Sequence, residues 1–174
     1  MNIYIIVLRL IHIFSGVFWA GTTFLLASSV KPAIKATGPE AGKFMQKLSG
    51  SPGRLTDYLG ITATLSALSG LLLYWSVSAH FDPGFFLSGR GLVLTLGALA
   101  GIFAWLHGAF VVRKLSKRME ALGKEIQEAG GPPSPEQAAE IQEIQEKQFA
   151  NGAVLAILLA IAVTGMSVAE YLYF

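Results

Sequence analysis

The chain has 174 residues, of which 53% are hydrophobic and only 14% charged, with a formal net charge of +2 and a mean hydropathy of +0.55. Soluble domains carry roughly 25% charged residues, so a soluble globular domain is excluded, and the small positive balance offers nucleic acid no binding surface. The absence of cysteine rules out disulfides, thiolate metal sites, covalent c-type haem attachment and a cysteine nucleophile.

The apolar residues fall into four runs, at about residues 3–30, 58–79, 91–112 and 149–170. Each meets the roughly 17–25 residues that a membrane helix needs, and the alternating ten-residue segments of a β-barrel are absent. The expectation is one all-α domain over residues 1–174, a polytopic membrane four-helix bundle. The start of the chain, Met1 to Leu8, is uncharged and apolar, so it lacks the basic leader of a cleavable signal and is read as part of the first span.

In the first span Arg9 and His12 are three residues apart and share a helix face, with Gly16 one turn further along it. Ionisable residues within a membrane span tend to face the interior and to mark function. A porphyrin needs an axial nitrogen, a bare stretch of helix and a cation near its propionates. His12, Gly16 and Arg9 offer these in order, with Phe18 and Trp19 available for apolar contact. The same residues admit a second reading, in which His12 hydrogen-bonds a neighbouring carbonyl and Arg9 reaches out to the headgroups. The loop that follows contains Lys31, Lys35, Lys43, Lys47 and Arg54. Within it Ala41, Phe44, Met45 and Leu48 suggest a short amphipathic helix over residues 40–48, lying on the membrane surface.

The second span ends near His80, in the short loop Phe81-Asp82-Pro83-Gly84, where an interfacial role competes with ligation. The third span carries Gly97-x-x-x-Gly101, read as close helix packing, and Trp105-Leu-His107-Gly108 near its far end. By depth His107 lies on the order of 10 Å or more from His12, closer to Thr62, Thr64 and Asn151. His80 and Met166 are nearer the level of His12.

Beyond the third span, Leu115, Met119, Leu122 and Ile126 step by 4, 3 and 4, the seam of a packed helix. Gly130-Gly131-Pro132-Pro133 breaks the chain. Ser134-Pro135-Glu136-Gln137 then reads as an N-cap, an N1 proline and a capping-box glutamine, with Ile141 and Ile144 continuing on the second arm. Residues 113–148 therefore predict a helical hairpin extending spans three and four, with Lys117 near Glu146 and Lys124 near Glu140. The basic residues cluster in the first and third loops, so the positive-inside rule places both loops in the cytoplasm and both termini outside, in what reads as a bacterial inner membrane.

The pattern Arg9-x-x-His12-x-x-x-Gly16-x-x-Trp19-x-Gly21, together with Leu106-His107 before Arg113-Lys114-Leu115, resembles a superfamily of small membrane proteins. It includes the CopD copper-resistance domain, the membrane part of the cytochrome-linked urate oxidase and the HemJ-type protoporphyrinogen oxidase. The resemblance covers spans one and three. It implies a four-helix bundle carrying haem b, with His12 essential. HemJ proteins also have a lysine early in the third span, where this chain has none and Arg90 is the nearest cation. The expected function is that of a haem b-binding membrane protein with a redox role, exchanging electrons with a quinone or a partner protein. Its metal-ligand candidates are His12, His107 and His80, and its cofactor contacts Arg9, Gly16, Trp19 and Trp105. The alternatives are a HemJ-like porphyrinogen oxidase, a copper-handling or other transport protein, and a structural subunit of a membrane complex.

Overall fold

The computed structural model describes residues 3–37, 44–45, 47–50 and 54–172. Helix α1 (Ile3–Leu25) runs through a π-helical turn (Leu26–Val30) into α2 (Lys31–Thr37). Next come α3 (Leu55–Val77), the short α4 (Pro83–Leu87) and α5 (Gly89–His107). A second π-helical turn (Gly108–Val112) joins α5 to α6 (Arg113–Ala129). The chain closes with the long α7 (Pro135–Val168) and a 3-10 turn (Ala169–Tyr171). Among the described residues there is no strand. Of the amphipathic segment expected at residues 40–48, Phe44, Met45 and residues 47–48 are helical, and Glu40, Ala41 and the rest lie outside the described residues.

Four helical stretches are long and apolar enough to cross a membrane: Ile3–Ile34, Leu55–Val77, Gly89–Ala129 and Pro135–Tyr171. The distribution of side-chain size fits lipid as the surrounding solvent. Large apolar residues such as Phe14, Val17, Leu96, Phe103 and Ile157 face outward, and Ala20, Ala63, Ala100, Ala104 and Ala162 are buried. Small residues let helix backbones approach one another, which is how helices associate where hydrophobic burial gains nothing over lipid contact.

Helix α1 packs mainly on α3, and α5 mainly on α7; the contacts of α3 with α5 and of α1 with α7 are lighter. One cluster joins all four, made by Trp19 and Ala20 of α1, Ala63 of α3, Ala104 of α5, and Leu155 and Leu159 of α7. The α5–α7 seam rests on glycine, as expected for Gly97. A Cβ at Gly165 would stand 2.9 Å from the Gly97 Cα and 3.1 Å from the Val93 carbonyl oxygen.

Beyond the apolar stretches, α6 and α7 turn back on each other. Gly130 ends α6 at φ 65°, a left-handed value that glycine adopts at little cost. Ser134 and Gln137 form the expected reciprocal capping box, with Pro135 at the first helical position. Leu115, Met119, Leu122 and Ile126 form the inner face of α6, and Leu122 is only 1% exposed. Gln148 donates to Ser116 at 3.5 Å, which matches the expected register. The charge partners differ from expectation. Arg118 grips Glu140 through two bonds of 2.6 and 2.8 Å and also reaches Glu125, whereas Lys124 pairs with Glu120 on its own helix. The planar guanidinium reaches diagonally along the hairpin and binds both carboxylate oxygens, which a lysine point charge does not do.

Candidate functional site

His12 stands at the α1–α3 seam. Its Nδ1 lies 2.8 Å from the backbone carbonyl oxygen of Ser66. A carbonyl oxygen only accepts, so Nδ1 carries the proton and donates it. In the neutral ring Nε2 then keeps its lone pair. This is the carbonyl bond of the second sequence reading of His12, and a contact of the same kind also commonly fixes a metal-binding imidazole in one tautomer. The ring fits because α3 has a glycine beneath it. A Cβ at Gly70 would meet His12 Cε1 at 2.8 Å and Nδ1 at 3.1 Å. The seam is lined with short polar side chains. Ser15 is buried and donates to Ile11 O at 2.5 Å; Ser69 is buried and donates to Leu65 O at 2.6 Å. Each hydroxyl is satisfied by its own helix, so neither competes for the imidazole.

The other candidates of the first span have different surroundings. Gly16 is covered by α3, since a Cβ there would stand 3.2 Å from the Ser66 hydroxyl. A side chain at Gly16 would first crowd that hydroxyl. Arg9 is exposed and makes no ion pair among the described residues. Trp19 is buried in the cluster that joins the four helices.

In α5, Trp105 packs against that cluster and donates its indole N–H to Thr64 Oγ1 at 3.2 Å. Thr64 is therefore engaged by the tryptophan and not by His107. Thr62 bonds Tyr58 O, and Asn151 bonds Lys147 O. None of the three orients His107, whose Nε2 is buried without a hydrogen-bond partner. The Trp105–Thr64 contact puts His107 near the level of residue 62 on α3, whereas His12 sits between residues 66 and 70. At 1.5 Å per residue, the two imidazoles differ in depth by roughly 9 Å. They also belong to helices that are not principal neighbours, because α1 packs on α3 and α7.

His80 is exposed and lies against Trp75, with ring centroids 5.0 Å apart. It sits in a left-handed run, Ala79, His80 and Phe81, at φ 49°, 64° and 68°. Met166 lies on α7 beside the glycine seam, its backbone nitrogen 3.3 Å from where a Gly97 Cβ would stand. Arg90, at the start of α5, faces Glu170 at 3.8 Å.

Ser66 and Gly70, which hold and admit the His12 ring, were not singled out from the sequence. Their signal is the small-x-x-x-small spacing within span two, the same pattern that identified Gly97 and Gly101. Among the described residues no three His, Cys, Asp or Glu side chains gather as a metal cluster. No protein-family model, curated protein or solved structure matches the chain.

Proposed function

We propose that the chain is a membrane four-helix bundle that holds a b-type haem on His12 and takes part in electron transfer with a quinone or a redox partner. The observation that carries this reading is the Nδ1–H contact to Ser66 O, which in the neutral ring leaves Nε2 unprotonated and able to serve as a ligand nitrogen. When bound, haem supplies one-electron redox chemistry at its iron, tuned by the axial ligand and its hydrogen bonding. The chain's own part is to hold the tautomer through Ser66 and to admit the ring at Gly70. Arg9 adds a cation one turn from His12 that has no ion-pair partner among the described residues and is suited to a propionate. The roughly 9 Å depth offset argues against His107 as a second ligand to the same iron.

The test is the absorbance of the purified protein, oxidised and dithionite-reduced, with haem supplied during expression. A Soret band with a sharp reduced α-band is expected, and His12→Ala removes it or changes the spin state. His107→Ala leaves that spectrum as it was. A colourless protein that cannot be reconstituted with haem, or a His12→Ala variant with an unaltered spectrum, overturns the proposal.

In the bilayer, the distribution of lysine and arginine puts the α6–α7 hairpin in the cytoplasm and both termini outside. A tag at either terminus is then reachable from outside intact cells, and one inserted at Gly130-Gly131 is not. Protected termini would reverse the orientation.

A further inference from the structure

Where the α6–α7 hairpin leaves the apolar spans, a groove of about 520 Å³ opens between the two helices. Its lining is mixed. Phe110 and Val111, near the end of the third span, are apolar, as are Leu115 and Ile144. Lys114, Arg118, Lys147, Glu140 and Glu143 are charged and interleave with them along the two helices. Phe110 is 73% exposed and points outward at the level where lipid contact gives way to charge. Lys31 lies against α7 near the foot of the hairpin, its ammonium 5.2 Å from the Phe149 ring centroid.

The two acids in the lining are already neutralised. Glu140 is held by both arms of Arg118, and Glu143 by Lys147 at 2.5 Å. Lys114 makes no ion pair among the described residues. Arg118 is also paired with Glu125 and Lys147 with Glu143, so Lys114, beside an apolar wall, is the lining cation left without a carboxylate partner among the described residues. That combination complements an amphiphile with one negative headgroup and an acyl chain.

We propose that this groove is a binding site for an anionic phospholipid of the surrounding bilayer, with its phosphate at Lys114 and a chain along Phe110 and Val111. The site is independent of any haem. Basic grooves at the ends of membrane helices select anionic lipid because a lysine near the surface attracts the phosphate in a low-dielectric setting. The two internal ion pairs keep the remaining walls from repelling it.

The experiment uses the full-length protein, delipidated in detergent and offered phosphatidylglycerol or phosphatidylcholine, with bound lipid counted by native mass spectrometry. Phosphatidylglycerol should be retained about fivefold better, the factor expected of one uncompensated lysine near the membrane surface. Lys114→Gln should bring the two lipids to parity, and Lys114→Glu should reverse the order. Arg113→Gln removes an equal charge from the same turn but outside the groove, and should leave the preference standing. Equal retention by the wild type would overturn the site. An equal loss in Arg113→Gln and Lys114→Gln would reduce it to general surface charge. Displacement of the lipid by soluble glycerol phosphate would mean that the apolar wall contributes nothing. Either of the last two results also rejects the proposal.

Discussion

The molecule contains two close helix seams that use glycine to opposite ends. In the α5–α7 seam, the space above Gly97 and Gly165 is filled by backbone, namely the partner glycine's Cα and the carbonyls of Val93 and Ala162. In the α1–α3 seam, the space above Gly70 is filled by the His12 ring. A backbone contact fixes the distance between two helices. A side-chain contact leaves the occupant free to move if the space is reduced. The first seam is therefore a structural clamp, and the second is a seat built for one imidazole.

The largest expected effect comes from closing the clamp. Gly165→Leu has no flexible neighbour to displace, so α5 and α7 must separate. Overpacking of this kind costs about 1–3 kcal/mol or more, read as a fall in the thermal midpoint in detergent. A midpoint within error of the wild type would mean that the seam is not closely packed. A smaller effect is expected at the seat. Gly70→Ala forces His12 off its rotamer, costing about 1 kcal/mol, and, if His12 holds haem as proposed, should shift the haem spectrum. In the His12→Ala background the same substitution should be nearly neutral, because the atom it collides with is gone. A double-mutant cycle measures that coupling directly, and additive losses would show that the ring is not what fills the space.

The hairpin, outside both seams, provides the smallest effect. Arg118 hydrogen-bonds the Glu140 carboxylate and holds its pKa below the ordinary value. A depressed folded pKa means that this stabilisation is present above the ordinary glutamate range and is lost as pH falls through the folded value. Backbone protection in residues 118–140 should therefore weaken only in the acid range, and Arg118→Gln should reduce that pH dependence to the part carried by Glu136, whose pKa is lowered by a backbone hydrogen bond and by Ser134. The same acid response in Arg118→Gln would assign it to other groups.

The parts of the fold that follow local rules were legible before any coordinates. Span lengths depend on bilayer thickness, and the capping box at Ser134 and the stop at Gly130 depend on adjacent residues. The inner face of α6 follows from helical period alone. What escaped depends on which helix lies opposite which. Ser66 and Gly70 look like ordinary small residues until α1 is placed on α3, and Thr64 looks free for His107 until Trp105 takes it. Arg118 in place of lysine at the hairpin contact is a matter of side-chain reach, which helical register does not describe. The π-helical turns at Leu26–Val30 and Gly108–Val112 each need one extra residue per turn, and no composition marks that.

The length of α7 has a further consequence. Its 34 residues amount to about 51 Å of helix, against a hydrocarbon layer of about 30 Å. The stretch before Phe149, residues 135–148, rises roughly 21 Å clear of that layer. At physiological ionic strength, surface charge is screened over about 8 Å. Lys114 and Lys147 at the foot of the hairpin thus lie within the electric field of the lipid headgroups. Glu128 and Glu136 near its tip stand more than one screening length beyond the headgroups, so the acidic tip feels little of the field that the base of the hairpin engages.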